Sequence, residues 1–412
     1  MSELDRVRVL TAQGACGELS QGRDGDYLFR YGIGVPDEAQ ISLTMAVRDM
    51  PYLNRTLHPV FQMNLPEGYV LEQLRHRLAK TATLDPMLLL ALTGSGSPIG
   101  RVQVQSPALD ALLDRGVMPR GERLADLLAW DGAEDLFTQL VDKYILRAGI
   151  SGIQPKVLVP EDMTADPKAT LLTPELIVKA GREDFPGLAI NEFLCMDAAR
   201  RAGMPVPAFF LSDNRKLFVM RRFDRDKHQQ PLGFEDMAVL TGVGTEQKYG
   251  ASYEKIARAI RLFCAPEQVQ SSLRQFFDIV ALSCMVGNGD AHLKNFGLLY
   301  TDPLGADAKL SPAYDIVNTT AYIPEDSLAL TLDGSKSLFR SRLGILALAK
   351  TCDVVEPRQR LRDLIAAVEA SLSANAALAG QVPQVAAAIA HCTGLFRQTF
   401  ADQDAQVGVT GL

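Results

Sequence analysis

The chain has 412 residues, which exceeds the length at which one hydrophobic core keeps growing, so we expect two or three domains or lobes. Apolar residues make up 47% and charged residues 22%, as in an ordinary globular protein, and the net charge of -7 argues against a general surface for binding polyanions. No apolar run is long enough to cross a bilayer, and six scattered cysteines without metal-ligand spacing indicate reduced, buried thiols, so the sequence predicts a soluble cytoplasmic protein.

The N-terminal part of the sequence has the residue pattern of a small β-rich domain. Residues 1–60 alternate short apolar runs with Gly, Asp and Asn, a pattern typical of antiparallel strands and hairpins. The period then becomes helical over residues 66–80, where Val70 and Leu74 share one face. We expect this domain to end at residue 105 and helices to bridge to the next part of the chain.

The region 145–225 combines features that nucleotide phosphates require. A Gly-rich turn at 149–152 precedes Lys156 and an apolar strand, so backbone amides could face an anion, although a plain hairpin turn explains the same residues. Lys179 lies on a second short strand, and Glu192 lies in the first turn of the next helix. The two could form the ion pair that positions nucleotide phosphates, or an ordinary surface pair of little energetic value.

A third strand, KLFVMRRF, ends at residues 220–223, where a two-lobed kinase would have its adenine-binding hinge. A hinge binds adenine through backbone amides and carbonyls, so its side chains need not be polar. We therefore predict a hinge at this strand end.

Residues 285–300, MVGNGDAHLKNFGLLY, place Asp290 and Asn295 in a loop between a helical apolar run and a strand, and Asp315 follows in SPAYDI. Phosphoryl transfer needs a carboxylate to accept a hydroxyl proton and hard oxygen ligands for magnesium. Asp290 suits the first task, and Asn295 and Asp315 the second. The step from Asp290 to Asn295 equals that of the HRDxxxxN loop of protein kinases. The loop alone is equally compatible with an Asx-rich turn, but the order of all these parts favours phosphotransfer from ATP.

Together these motifs resemble the HipA-like serine/threonine kinases, the toxins of bacterial toxin–antitoxin pairs. The resemblance rests on SGIQPKVLV, NEFLCMDAARRAGMPVP, RRFDR, MVGNGDAHLKNFGLLY and SPAYDI, and in the N-terminal part on YLFRYG, QMNLPEGY and LTGSGSPIGRVQV. It implies an α+β, two-lobed protein-kinase-like fold with an N-terminal β-rich subdomain and an all-helical C-terminal lobe. The expected boundaries are 1–105 for the subdomain, 106–222 for the kinase N-lobe, 223–400 for the C-lobe and 401–412 for a flexible tail.

The resemblance also implies a role for each motif position. Asp290 would be the catalytic base, Asn295 and Asp315 would hold Mg²⁺, and Glu192 would pair with Lys179. The positions expected to contact ATP belong to the Gly-rich loop, the phosphate-binding strand, the hinge and the catalytic loop: Ser151, Gly152, Ile153, Gln154, Pro155, Lys156, Lys179, Arg221, Arg222, Phe223, His292, Lys294, Asn295, Tyr314 and Asp315.

Three positions receive a different interpretation. For His292, a structural role through a backbone hydrogen bond is favoured over nucleotide contact. Asp224 and Arg225 match the family, but chemistry assigns them no role.

The function that the resemblance implies is that of an ATP-dependent protein serine/threonine kinase that inhibits growth, with an aminoacyl-tRNA synthetase as the expected target. A HipB-like helix-turn-helix antitoxin is the expected partner, and DNA would be contacted mainly through it. Two alternatives stay open: a small-molecule phosphotransferase that uses the same loop, and a catalytically idle, ATP-binding corepressor. Retention of Lys179, Asp290, Asn295 and Asp315 argues against the corepressor.

The Gly-rich loop departs from the family at its phosphorylation sites. Members carry Ser-x-Ser or Ser-x-Ala there, and autophosphorylation silences them, whereas this chain has Gly149, Ile150 and Ser151. We hypothesise that any self-inhibition acts through Ser151. Negative charge at Ser151 would occupy the place of the ATP phosphates, so a Ser151→Asp protein should bind ATP more weakly in a calorimetric titration. Unchanged ATP affinity would contradict the hypothesis.

Overall fold

The computed structural model describes residues 4–22, 24–78, 84–94, 96–107, 109, 121–132, 135–145, 154–162, 175–181 and 184–401. The chain divides into two compact units. Unit 1 comprises Met1–Arg182, Phe209–Gln247 and Leu298–Ala308, and unit 2 comprises Glu183–Ala208, Lys248–Gly297 and Lys309–Leu412. The combination of helices and sheets confirms the predicted α+β class. All six cysteines are unpaired and five are buried, as predicted. Among the described helices, none is both long and apolar enough to span a membrane.

The strands are β1 (Arg6–Thr11), β2 (Gly14–Gln21), β3 (Tyr27–Tyr31), β4 (Tyr52–Asn54), β5 (Gln103–Gln105), β6 (Lys156–Pro160), β7 (Glu175–Ala180), β8 (Phe209–Leu211), β9 (Leu217–Arg221), β10 (Gly233–Asp236), β11 (Gly297–Tyr300) and β12 (Lys309–Leu310). The helices are α1 (Pro59–Gln62), α2 (Gly68–Leu78), α3 (Pro86–Thr93), α4 (Leu124–Leu128), α5 (Leu136–Tyr144), α6 (Leu188–Arg201), α7 (Met237–Leu240), α8 (Tyr253–Phe263), α9 (Val269–Val286), α10 (Leu338–Thr351), α11 (Pro357–Ala374), α12 (Ala376–Ala379) and α13 (Pro383–Ala401).

The N-terminal sheet of unit 1 contains five antiparallel strands in the order β4-β3-β2-β1-β5. In β1, Val7 and Val9 are buried whereas Arg6 and Arg8 are exposed, because successive side chains of a strand point to opposite faces. The sheet confirms the strands and hairpins predicted for residues 1–60. The predicted helix that follows is α2, which begins at Gly68, two residues after the predicted start, and residues 79 and 80 of the predicted range lie outside the described residues.

A second antiparallel sheet of unit 1 has the order β6-β7-β9-β8. One of its faces belongs to a hydrophobic core shared with α2 and α5. The buried strand residues in this core are Val157, Val159, Leu176, Val178, Leu217 and Val219. Lys179 lies between Lys156 and Phe218 in the strand register, so all three side chains project from the opposite face. This sheet confirms the strand predicted around Lys179 and the strand predicted before the hinge.

Residues 223–247 and 298–308, which the sequence assigned to the helical C-lobe, lie in unit 1. Buried Glu235 of β10 is one physical reason, because its carboxylate accepts hydrogen bonds from Ser42 Oγ (2.6 Å) and Tyr300 Oη (2.7 Å). The short strands β10 and β12 also lie in the range that was assigned to the all-helical lobe, whereas β11 is the strand predicted after Asn295. Such contacts between distant segments leave no periodic signal in the local sequence.

Unit 2 is mainly helical. Its largely buried helix α9 leads directly into residues 287–296, which we call the candidate loop. The residues predicted to form its apolar face are all buried: Leu273, Phe276, Phe277, Val280 and Cys284. The helix ends at Gly287, whose φ of 73° lies in the left-handed region. A Cβ at Gly287 would lie 2.7 Å from Thr320 Oγ1, so glycine satisfies both the backbone conformation and the close packing. The backbone conformation at the start of the candidate loop is therefore fixed by Gly287.

Candidate active site

The loop after α9, residues 287–296, is held by other segments of unit 2. Its backbone donates hydrogen bonds from Gly289 N to Thr319 Oγ1 (2.8 Å) and from Leu293 N to Lys248 O (3.2 Å). Ala291 O accepts a hydrogen bond from Tyr253 Oη (3.1 Å), and Val286 O, at the end of α9, accepts one from Asn318 Nδ2 (2.7 Å). Because these bonds fix the backbone, the loop side chains have defined directions.

Asp290 is the half-exposed carboxylate of this loop, with 47% of its side chain accessible. Its backbone N donates to Asn288 Oδ1 (2.9 Å), which orients the residue. Its Oδ1 accepts a hydrogen bond from Tyr249 Oη (2.8 Å). A carboxylate held on a fixed loop and open to solvent can accept a proton from an incoming hydroxyl group. The catalytic role itself stays a prediction.

Asn295 and Asp315 lie together in unit 2, with Asn295 Nδ2 donating to Asp315 Oδ2 over 3.4 Å. Asn295 Oδ1 is buried and has no hydrogen-bond partner among the described residues. A buried oxygen without a donor carries a desolvation cost that a cation would remove. Asp315 has a φ of 59°, a strained conformation for a residue other than glycine. These oxygen atoms fit Mg²⁺, which proteins commonly bind through one or two carboxylates together with phosphate oxygens.

His292 is buried next to Asp290, and its Nε2 lies 4.0 Å from Asp290 Oδ1. Burial, together with the positive charges of Lys248 and Lys294, lowers the pKa of His292 to about 3, so the imidazole is neutral at physiological pH. Its ring packs edge-on against Tyr249, with the centroids 5.1 Å apart. Within the described part of the chain, Nδ1 has no hydrogen-bond partner, so the expected backbone hydrogen bond is not seen at this nitrogen.

Lys294 and Tyr314 contact each other through the loop backbone. Tyr314 Oη donates to Lys294 O (2.8 Å), so this hydroxyl supports the loop next to Asn295. The Lys294 side chain is half-buried. Their predicted contacts with ATP stay predictions.

The predicted phosphate-binding segment is described from Gln154 onwards, and Ser151, Gly152 and Ile153 lie outside the described residues. Pro155 O accepts a hydrogen bond from Ala180 N (3.0 Å), which joins the start of β6 to the end of β7. Lys156 and Lys179 are directly opposed in these strands and are 6% and 2% exposed. Two lysines this deeply buried on one sheet face are expensive unless anionic groups accompany them.

The side chains at the predicted hinge are occupied by protein groups. Arg221 donates to both oxygens of Glu161 (2.9 and 2.7 Å). Arg222 is buried and binds Glu175 (2.9 Å), while Phe223 packs edge-on against Phe234, with the centroids 5.7 Å apart. The backbone amide of Arg222 also donates to Glu175 O (3.0 Å). The contacts of Arg221, Arg222 and Phe223 with adenine stay predictions.

Asp224 and Arg225, which the sequence left without a role, complete a buried charge cluster with Arg222 and Glu175. Asp224 accepts hydrogen bonds from Arg222 Nη2 (2.6 Å), Arg225 Nη1 (3.1 Å) and the backbone N of Gly100 (2.8 Å). Burial opposes ionisation of this carboxyl, but the two arginines outweigh it and lower the pKa of Asp224 to about 2. We call these four charged side chains the hinge charge cluster.

The hinge charge cluster also binds the segment 97–100. Arg222 Nη1 donates to Ser97 Oγ (2.9 Å) and Arg222 Nη2 to Pro98 O (2.8 Å), and Arg225 Nη2 donates to Ser97 Oγ (3.0 Å). All these residues belong to unit 1. The cluster thus connects the end of β9 to the N-terminal part of the chain.

Glu192 lies on α6 in unit 2 and is fully buried. Lys179 lies on β7 in unit 1. The ion pair between them stays a prediction.

Two residues of the site, Tyr249 and Asn288, were not identified from the sequence. Tyr249 precedes Asp290 by 41 residues and lies in a segment without a periodic pattern, so no local signal indicates it. Asn288 lies inside the recognised motif, and its Asx-type bond to the Asp290 amide is the turn chemistry that was considered for this loop. The Asx turn and the carboxylate role therefore coexist.

Comparison with known proteins supports a single family. Residues 7–105 match the HipA N-terminal domain, and residues 148–376 match the HipA-like C-terminal domain. The second match alone spans more than half of the chain.

Two similar proteins carry kinase names. "Putative kinase Y4dM" of Sinorhizobium fredii is 29% identical over 356 residues, which cover 78% of this chain and 79% of that protein. A Haemophilus influenzae protein named "Putative kinase" is 32% identical over 188 residues, which cover 42% of this chain and 53% of that protein. The second match therefore spans about half of that relative.

A solved structure extends the similarity to the whole fold. The chain superimposes on a chain of the Shewanella oneidensis MR-1 toxin–antitoxin complex of HipA, HipB and operator DNA with a TM-score of 0.64. The match covers 96% of this chain and 98% of that chain at 17% sequence identity, so it shows the fold alone. With both family domains matched in order along the sequence, we conclude that this chain belongs to the HipA-like family.

Proposed function

We propose that this chain is an ATP-dependent protein serine/threonine kinase that inhibits growth by phosphorylating a protein target. The observation that carries the proposal lies in unit 2, where the half-exposed carboxylate of Asp290 shares a fixed loop with buried Asn295, and Asn295 Nδ2 donates to the half-buried Asp315. The HipA-like family and the kinase names of two relatives support it.

Each residue has a distinct task in the proposed reaction. Asp290 accepts the proton of the acceptor hydroxyl as that oxygen attacks the γ-phosphorus of ATP. Asn295 Oδ1 and the Asp315 carboxylate would hold Mg²⁺, which neutralises phosphate charge when it is bound. Lys156 and Lys179 would bind the phosphates of the nucleotide.

The proposed partners follow from the family. The solved HipA relative occurs in a complex with HipB and operator DNA, which supports a HipB-like helix-turn-helix antitoxin as the partner of this chain. The proposed target is an aminoacyl-tRNA synthetase, because phosphorylation of such an enzyme would stop translation and growth.

The test compares cells that express the wild-type chain with cells that express Asp290→Asn. We expect wild-type expression to arrest growth and to add phosphate to serine or threonine of one or a few proteins in the phosphoproteome, and Asp290→Asn to do neither. Asp37→Asn, at an exposed carboxylate outside the site, is the matched control and should behave as wild type. Equal toxicity of Asp290→Asn without protein phosphorylation would contradict the kinase-toxin mechanism.

A second prediction concerns Gly289, which lies directly before Asp290. A Cβ at Gly289 would overlap the Asp326 carboxylate and lie 2.7 Å from Ser327 O. Asp326 cannot easily move, because it accepts hydrogen bonds from Thr319 Oγ1 and from the Ser327 amide. Gly289→Ala should therefore displace Asp290 and lower the phosphorylation rate by about a hundredfold, the effect of a misplacement of about 1 Å.

The measurement for Gly289→Ala is the transfer of labelled phosphate from ATP to protein acceptors in a dialysed lysate. Gly394→Ala is the matched control, because a Cβ at Gly394 meets nothing within 4 Å, and it should retain wild-type transfer. A Gly289→Ala protein with wild-type rates would show that the loop accommodates the methyl group without moving Asp290.

A further inference from the structure

We infer that Tyr249 is a positioning residue for Asp290 in the phosphoryl transfer proposed above, and the inference rests on that proposed function. Tyr249 Oη donates a hydrogen bond of 2.8 Å to Asp290 Oδ1. A hydrogen bond to one carboxylate oxygen selects a single orientation of the side chain. The carboxylate is then oriented before the acceptor hydroxyl arrives.

The first observation is that the Tyr249 backbone is anchored from two sides. Lys336 Nζ donates to Tyr249 O (3.0 Å) and to Ala329 O (2.8 Å), which connects Tyr249 to the segment before α10. The preceding residue, Lys248, accepts a hydrogen bond from Leu293 N of the candidate loop (3.2 Å). Tyr249 is therefore attached to the same framework as the loop that carries Asp290.

The second observation is that the Tyr249 ring has a defined place. The ring makes an edge-to-face contact with His292, the loop residue two positions after Asp290, at a centroid distance of 5.1 Å. This contact fixes the position of the Tyr249 ring. Because burial keeps His292 neutral, the contact does not depend on an imidazolium charge. Ring and backbone together hold the hydroxyl at Asp290.

The third observation is that burial does not force this hydrogen bond. Tyr249 is 37% exposed and the Asp290 side chain is 47% exposed, so water could satisfy both groups. A hydrogen bond between two accessible groups adds little to folding stability. What it does provide is a restricted orientation of a half-exposed carboxylate, which is what a general base needs.

The test replaces Tyr249 with phenylalanine, which keeps the ring contact with His292 and removes only the hydroxyl. We expect the phosphorylation rate at saturating ATP to fall about tenfold, equivalent to about 1.4 kcal/mol, while the KM for ATP changes less than about twofold. The assay is transfer of labelled γ-phosphate from ATP to protein acceptors in a dialysed lysate. Tyr52→Phe is the matched control, because it removes a tyrosine hydroxyl that donates to Ala46 O (2.7 Å) in the N-terminal sheet region, and it should leave the rate unchanged.

A double-variant comparison separates positioning from a general structural effect. If Tyr249 acts only through the Asp290 carboxylate, adding Tyr249→Phe to Asp290→Asn should cause no further loss of the residual rate. The inference is overturned if Tyr249→Phe keeps the wild-type rate or exceeds it, if its effect is on the KM for ATP alone, or if it lowers the residual rate of Asp290→Asn by the same tenfold factor.

Failure of the inference and failure of the proposed function give different results. If the wild-type chain transfers phosphate and Tyr249→Phe does so equally well, only the role of Tyr249 is contradicted. If the wild-type chain transfers no phosphate to any protein in the lysate, the proposed function fails and the positioning role falls with it.

Discussion

Asp290→Asn is expected to lower the rate of phosphoryl transfer at saturating ATP by about a thousandfold, in the middle of the range for loss of a general base. The amide keeps the size of the side chain and can still contact Tyr249, but it cannot take the proton of the attacking hydroxyl. Affinity for ATP should stay within about twofold of wild type, because the residues proposed to hold phosphates and Mg²⁺ are unchanged.

The measurement pairs two assays on the purified full chain: transfer of labelled phosphate to protein acceptors, and calorimetric titration with ATP and Mg²⁺. Asp37→Asn again serves as the matched carboxylate-to-amide control and should leave both quantities unchanged. A variant that retains more than about a tenth of the wild-type rate would assign Asp290 to the structure of the loop and not to its chemistry.

Arg222→Met is expected to lower the free energy of unfolding by about 3–5 kcal/mol, the cost of removing one partner from a buried charge group. The Arg222 side chain is 3% exposed and bridges Glu175 and Asp224, which are 9% and 7% exposed. Methionine fills a similar length without a charge, so both carboxylates would depend on Arg225, which lies 3.8 Å from Glu175. A loss of this size is a large fraction of the stability of a typical domain.

Urea denaturation followed by circular dichroism measures the effect. Arg6→Met is the matched control, because Arg6 pairs with Glu18 on the surface, where the two side chains are 69% and 44% exposed. It should cost less than about 1 kcal/mol. Arg222→Lys should fall between wild type and Arg222→Met, since a single ammonium cannot reproduce the forked contacts of a guanidinium. Equal stability of Arg222→Met and wild type would contradict the assigned role of the cluster.

Local patterns were enough to predict the elements that frame the candidate site. The apolar spacing before Asp290 predicted α9, and the apolar run after Asn295 predicted β11, because each signal lies within one element. The motif also pointed to Asn295 and the later Asp315, which the structure brings within 3.4 Å of each other in unit 2.

Contacts between distant segments could not be predicted from such local patterns. Tyr249 reaches Asp290 across 41 residues and Arg222 reaches Ser97 across 125, and no periodic pattern connects such positions. The motif RRFDR was recognised, but its charges could be assigned to a buried cluster only when the location of Ser97, Pro98 and Gly100 was known. Likewise, Glu235 connects residues 223–247 to unit 1 because its carboxylate accepts hydrogen bonds from Ser42 and Tyr300, which lie in two remote segments.

The hinge charge cluster has a consequence for how this protein can be divided. The two matched family domains, residues 7–105 and 148–376, suggest a C-terminal domain that could be expressed alone. Yet Ser97, Pro98 and Gly100 belong to the first domain and supply hydrogen-bonding groups to Arg222, Asp224 and Arg225 in the second. A fragment that begins after residue 105 would lose these hydrogen bonds and expose Arg222, Asp224 and Arg225 to solvent. We therefore expect a fragment that lacks residues 97–100 to be less stable than the full chain.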